Sequence, residues 1–107
     1  MKKDGSSSYS EWETEDEESV ITLKLFITGA SPNSARAITN LKSICDKYIR
    51  TKYELEIIDV YQQPAKAKSE QLVALPMLIK YFPLPVIRLF GNMSDTEKVL
   101  KGLGLNK

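Results

Sequence analysis

Histidine is absent from this chain, and cysteine occurs once, at Cys45. Those scarcities remove much of the chemistry that small proteins perform with side chains. Without histidine, no side chain changes charge near neutral pH at its ordinary pKa. With one thiol there is no internal disulfide, and a zinc or haem centre would have to be built from carboxylates alone. No metal and no cofactor are therefore expected. A lone thiol fits a reducing, cytoplasmic setting. Long apolar runs are missing as well: none approaches the ~20 residues that cross a bilayer, so no membrane role is expected. The polar, acidic start resembles neither a signal peptide nor a basic transit peptide. At 107 residues there is room for one small domain and a modest core.

Charge is plentiful but unevenly placed. The formal net charge of +1 hides two opposed regions. Residues 1–19 carry Asp4, Glu11, Glu13, Glu15, Asp16, Glu17 and Glu18 against Lys2 and Lys3, a net of −5. Residues 20–107 carry thirteen Lys/Arg against seven Asp/Glu, a net of +6. Ser6, Ser7, Ser8 and Ser10 share the acidic segment, and no aliphatic side chain precedes Val20. Such a segment cannot bury enough apolar surface to offset its ordering entropy, so residues 1–19 are expected to be a disordered acidic arm. It is either a solubilising tail or a strap that lies over the basic domain and competes with an acidic partner. Trp12 within it is an exposed anchor without an assigned role.

The folded domain is expected to span residues 20–107. Ile21, Leu23, Leu25 and Ile27 alternate onto one face of a strand over residues 20–28, and Phe26 on the other set implies that both faces are covered. Gly29-Ala30 turns the chain, and Ser31 or Asn33 can cap a helix that tolerates Pro32 in or just before its first turn. That helix should reach about Ile49, with Ile38, Leu41, Cys45 and Tyr48 or Ile49 on its buried stripe. Cys45 reads as a small core residue rather than a nucleophile. Residues 53–60 form a second strand, with Leu55 and Ile57 on one face and Ile58 and Val60 on the other. Strand, crossover helix and strand imply a parallel pair. A short helix over residues 65–73 follows. The fold class is α/β.

The strand-to-helix turn Gly29-Ala30-Ser31-Pro32-Asn33-Ser34 sits where thioredoxins carry Cys-x-x-Cys, with Ser31 and Ser34 in the cysteine positions. A hydroxyl cannot cycle between dithiol and disulfide. The shape is thus thioredoxin-like and the chemistry is missing, which directs attention to binding.

The second half supports two local readings. Residues 72–82 are apolar apart from Lys80 and carry Pro76 in their midst. With Pro76 ahead of an extended segment, residues 77–81 become a third strand that pairs with residues 86–90 across Phe82-Pro83-Leu84-Pro85. With Pro76 in a first helical turn, residues 77–82 continue as helix. Periodicity does not separate these for so short a run. Ser94-Asp95-Thr96-Glu97 is a capping box ahead of Val99, Leu100 and Leu103, yet Gly102 and Gly104 leave barely two helical turns, which rely on packing.

Several of these stretches together resemble the KaiB family of circadian-clock proteins. They are residues 23–37 with Ser31-Pro32-Asn33-Ser34-Ala35-Arg36, then Glu56-Ile57-Ile58-Asp59-Val60 with Pro64, then Ala74-Leu75-Pro76-Met77-Leu78. Pro83-Leu84-Pro85-Val86-Ile87-Arg88 and Gly91-Asn92-Met93-Ser94-Asp95-Thr96-Glu97 complete the set. The resemblance spans about residues 20–103 in unbroken order. It implies a thioredoxin-like βαβ N-terminal half and a KaiB-type C-terminal half that adopts two folds: a ground state commonly found in tetramers, and a fully thioredoxin-like state. In the second state family members bind a KaiC-type ATPase ring, then recruit KaiA-like or histidine-kinase proteins. The resemblance assigns partner contacts to Arg36, Lys80 and Arg88, and the fold-switch region to Pro76 (cis in the switched form), Gly91, Asn92, Ser94 and Asp95. Gln62 and Gln71 stand where the family pattern has lysines, and Ala74-Leu75-Pro76-Met77 replaces Ala-Thr-Pro-Thr.

The leading expectation is a non-enzymatic regulator of a KaiC-like ATPase, forming a dimer or tetramer of its own. A second is a homo-oligomeric scaffold in stress signalling with another protein partner. A third, a redox or glutathione-handling enzyme using Cys45 or the Ser31 turn, lacks a reactive thiol pair. Nucleic-acid binding is not expected, because Tyr48, Tyr53, Tyr61 and Tyr81 lack an accompanying lysine–arginine cluster and are expected to line a core edge or a subunit interface.

Overall fold

The computed structural model describes residues 20–72 and 74–105. The acidic arm, Trp12 and Val73 lie outside the described residues. Among the described residues four strands and three helices follow one another: β1 (Ile21–Ile27), α1 (Pro32–Tyr48), β2 (Tyr53–Asp59), α2 (Pro64–Lys68), β3 (Met77–Phe82), β4 (Ile87–Phe90) and α3 (Thr96–Leu103). The sheet order is β2-β1-β3-β4. β1 and β2 run parallel in register from Ile21 opposite Tyr53 to Ile27 opposite Asp59, as a strand–helix–strand unit requires. β3 pairs antiparallel with the other edge of β1, and β4 pairs antiparallel with β3.

Alternation along the strands makes two cores. On one face Ile21, Leu23, Leu25 and Ile27 meet Ala37, Leu41, Ile44 and Cys45 of α1, and Leu78, Met93, Val99 and Leu103 from the second half. On the other face Phe26, Ile58, Met77 and Ile79 are buried, with Ala67, Leu72, Leu75 and Tyr81 packed against them. Phe26 is fully enclosed, as expected for a sheet covered on both sides.

The extended reading of Pro76 is the one adopted. Met77 pairs with Phe26 and Ile79 with Lys24, so tertiary pairing decides what local pattern left open. Other details differ from expectation. The buried stripe of α1 also includes Ala37 and Ile44, and of the two candidates at its end Ile49 is buried while Tyr48 is 38% exposed. α2 stops at Lys68 rather than near residue 73, because it has no side-chain cap and buries no residue that could hold it longer. Asp95, not Ser94, caps α3: its Oδ1 accepts from Lys98 N at 3.2 Å, while Ser94 N donates to Asn92 Oδ1 at 3.0 Å. Tyr61 is 75% exposed, away from either core. Among the described residues no helix is long and apolar enough to cross a membrane.

Candidate docking surface

The β1–α1 turn is closed by hydroxyls. Ser31 is the N-cap of α1, its Oγ accepting from Ser34 N at 3.2 Å and donating to Ser34 Oγ at 2.9 Å. Ser34 Oγ also accepts from Thr28 N at 3.1 Å, and the residue is wholly buried. Asp59, at the end of β2, accepts from Gly29 N at 3.1 Å and from Tyr61 N at 2.9 Å through the same Oδ1. One carboxylate therefore fixes the exits of both parallel strands. Thr28, Ser31, Pro32, Asn33, Leu75 and Pro76 line an open recess of about 390 Å³ beside the turn. The serines cap and pack: their side-chain hydrogen bonds among the described residues run to each other and to Thr28. Cys45 is buried in the first core, and burial, helped by Asp46, pushes its thiol up to about 11, which disfavours the reactive thiolate. Among the described residues no three His, Cys, Asp or Glu side chains gather as metal ligands.

Residues assigned to the switch region do come together. The Leu75–Pro76 peptide is cis, and Pro76 O accepts from Gly91 N at 3.0 Å. Gly91 has φ 103°, a conformation that glycine adopts without steric cost. Asn40, on α1, donates from Nδ2 to Asn92 O at 2.8 Å across 52 positions of sequence. Met93 follows at φ 62° and is buried in the first core, so a left-handed turn is held by packing. Ser94 and Asp95 then start α3. Gly91, Asn92, Ser94 and Asp95 line a small recess of about 140 Å³ with Met93 and Val99.

The three candidate contact cations do not converge. Arg36 is exposed on α1, one turn before Asn40. Lys80 is only 4% exposed; its Nζ donates to Pro83 O at 2.7 Å, and burial lowers its pKa. In this arrangement its charge is held inward. Arg88 Nη2 lies 3.5 Å from Glu70 Oε1, and Glu70 Oε2 accepts from Tyr81 OH at 2.8 Å. Burial, then that bond, raises the Tyr81 pKa, and Lys24 Nζ stands 5.3 Å from the Tyr81 ring centroid. β4 is an edge strand, and Phe82, Leu84, Val86 and Phe90 around it are exposed. Sequence reasoning missed Asn40, Asp59 and Glu70. An asparagine inside a helix was the one available signal, since it is a weak helix former whose amide seeks backbone partners.

Comparison with known proteins places these features in context. The KaiB domain matches residues 24–105. Circadian clock protein KaiB3 of Synechocystis is 47% identical over 85 residues, covering 79% of this chain and 83% of that one. The N-terminal domain of Synechococcus elongatus SasA has a similar structure, with a TM-score of 0.64 at 23% identity, covering 81% of this chain and 86% of that one. The Drosophila melanogaster thioredoxin Deadhead gives 0.64 at 15% identity, covering 87% of each. At such identities the two structures speak for a shared thioredoxin-like fold alone.

Proposed function

Since the chain belongs to the KaiB family of circadian clock proteins, we propose that it is a non-enzymatic regulator that docks on a KaiC-type ATPase ring in circadian timing or a related stress pathway. One observation carries this reading. The KaiB match runs from residue 24 within β1 to residue 105 past α3, while the turn that redox relatives equip with thiols is closed here by Ser31 and Ser34. A turn closed by hydroxyls in place of a thiol pair supports binding rather than thiol exchange.

In this reading the arrangement described above is the docking form, and the segment after β2 exchanges with a second packing. The links from Pro76 to Gly91 and from Asn40 to Asn92 are what the exchange would break. Arg36 and Arg88 supply exposed cations to an acidic ring surface, and Lys80 joins them once the Phe82–Pro85 turn releases it. KaiA-like or histidine-kinase proteins are the further partners in this scheme. The exposed apolar side chains beside β4 support self-association as a dimer or tetramer.

The test is co-migration of the protein with a KaiC-type ring in the presence of ATP, followed by amide NMR of the same mixture. Binding that weakens with added salt, with new or broadened peaks concentrated past residue 60, is expected. Absence of binding, together with isolation of a different protein partner, would transfer the assignment to the stress-signalling scaffold.

A further inference from the structure

The end of α1 and the exit of α3 frame an open recess of about 460 Å³ at the edge of the first core. Tyr48, Ile49 and Leu105 give it an apolar floor and wall, and Lys47 and Arg50 stand on its rim. Lys47 Nζ lies 5.7 Å from the Tyr48 ring centroid, and Tyr48 is 38% exposed. Lys52 adds a third exposed cation just past the rim. Asp46 is the nearby acid, and its Oδ1 accepts from Tyr53 OH at 2.8 Å. The C-terminal end of α1 contributes about half a negative charge. Three cations outweigh that fraction and one engaged carboxylate, so the recess is a net cationic, aromatic-floored surface.

The polypeptide enters the domain beside this recess. Ile21 N donates to Lys52 O at 3.1 Å, so the start of β1 stands beside Lys52 at the edge of the recess. The preceding residues carry complementary chemistry. Six of the eight positions from 11 to 18 are acidic, none is basic, and Trp12, the single tryptophan of the chain, lies among them. Seven residues lie between Trp12 and Val20, eight steps of chain with an extended reach of up to about 27 Å. The indole can therefore return to the recess while Glu15, Asp16, Glu17 and Glu18 pass the cations.

We infer that the acidic segment at residues 11–18 docks on its own domain, with Trp12 seated over Tyr48, Ile49 and Leu105 and its carboxylates against Lys47, Arg50 and Lys52. The recess is thus an intramolecular interaction surface that an anionic partner would have to share or vacate. This holds whether or not a KaiC-type ring binds, so its failure and the failure of the proposed function are separable.

Trp12 is its own reporter in the full-length protein. At low salt its emission is expected to be blue-shifted and shielded from acrylamide, independently of protein concentration. At about 1 M salt, where charges are screened within roughly 3 Å, both properties should relax toward those of a free peptide of residues 1–19. Lys47→Glu with Arg50→Glu and Lys52→Glu should produce the same relaxation at low salt, whereas Lys68→Glu on α2 should not. Because the triple variant risks misfolding, a second variant changes only the arm: Glu13, Glu15, Glu17 and Glu18→Gln. It should shift the amide signals of residues 47–52 and leave those of β2 and β3 in place. A Trp12 as exposed as in the peptide, a signal that depends on concentration, or amide changes elsewhere would each overturn the inference.

Discussion

The two halves of this domain are held by different means. β1 and β2 pair in register over seven positions, and the seventeen-residue α1 lays a continuous buried stripe across them. The second half has a four-residue edge strand whose faces alternate between half-buried and exposed, and an eight-residue α3. It reaches the first core through Leu78, Leu89, Met93, Val99 and Leu103. The first half thus makes much of its structure from neighbours in sequence, whereas the second is structured by pairing onto β1 and packing into the first core. Elements of the latter kind form the less stable cooperative unit of a domain.

Core truncation should expose this difference most strongly. Leu25→Ala, wholly buried beneath α1, is expected to cost about 2–5 kcal/mol and to accelerate amide exchange throughout the sheet. Leu103→Ala removes the same atoms from α3, yet should accelerate exchange in β4 and α3 while β1 and β2 stay protected. Uniform acceleration in both variants would abolish the distinction.

A smaller effect tests the joint between the halves. An added Cβ at Gly91 meets nothing within 4 Å, but the φ of 103° strains any other residue. Gly91→Ala should therefore lower the urea midpoint through backbone strain of about 1–3 kcal/mol, and loosen the second half preferentially. An unchanged midpoint would mean that the joint carries no strain. The smallest effect sharpens the first half. The Cys45 thiol ionises near 9 in an unfolded chain but is pushed up to about 11 in the native one. Between those values the native state holds the extra proton, so stability is full below 9 and declines as pH rises. Urea melts at about pH 8 and about pH 10 should show that decline, and Cys45→Ala should flatten it.

The sequence carried the first half because its signals are local. Alternation through Leu23 and Leu25, the Ser31 cap and the amphipathic stripe around Leu41 each act within a few residues. The second half escaped such reading for a physical reason. Residues 77–82 become a strand because the open edge of β1 accepts them, and nothing within six residues reports that edge. Asn40 meets Asn92 across 52 positions, and Lys80 disappears from the surface because the chain folds back at Pro83. The fold class was legible, and the residues that the resemblance named together, Pro76, Gly91, Asn92, Ser94 and Asp95, lie around one turn linked by the Gly91–Pro76 hydrogen bond. The inward turn of Lys80, the Asp95 cap and the anchoring carboxylate of Asp59 emerged only with tertiary contacts in place.

The enclosed hydroxyl of Ser34 has a physiological corollary. A sulfur at that position would tie the shape of the turn to the peroxide and glutathione balance of its surroundings. Oxygen there ignores such swings, and the remaining sulfhydryl of Cys45 is sealed behind α1. Oxidative bursts accordingly leave this corner of the molecule as they found it, so its geometry answers to contacts alone.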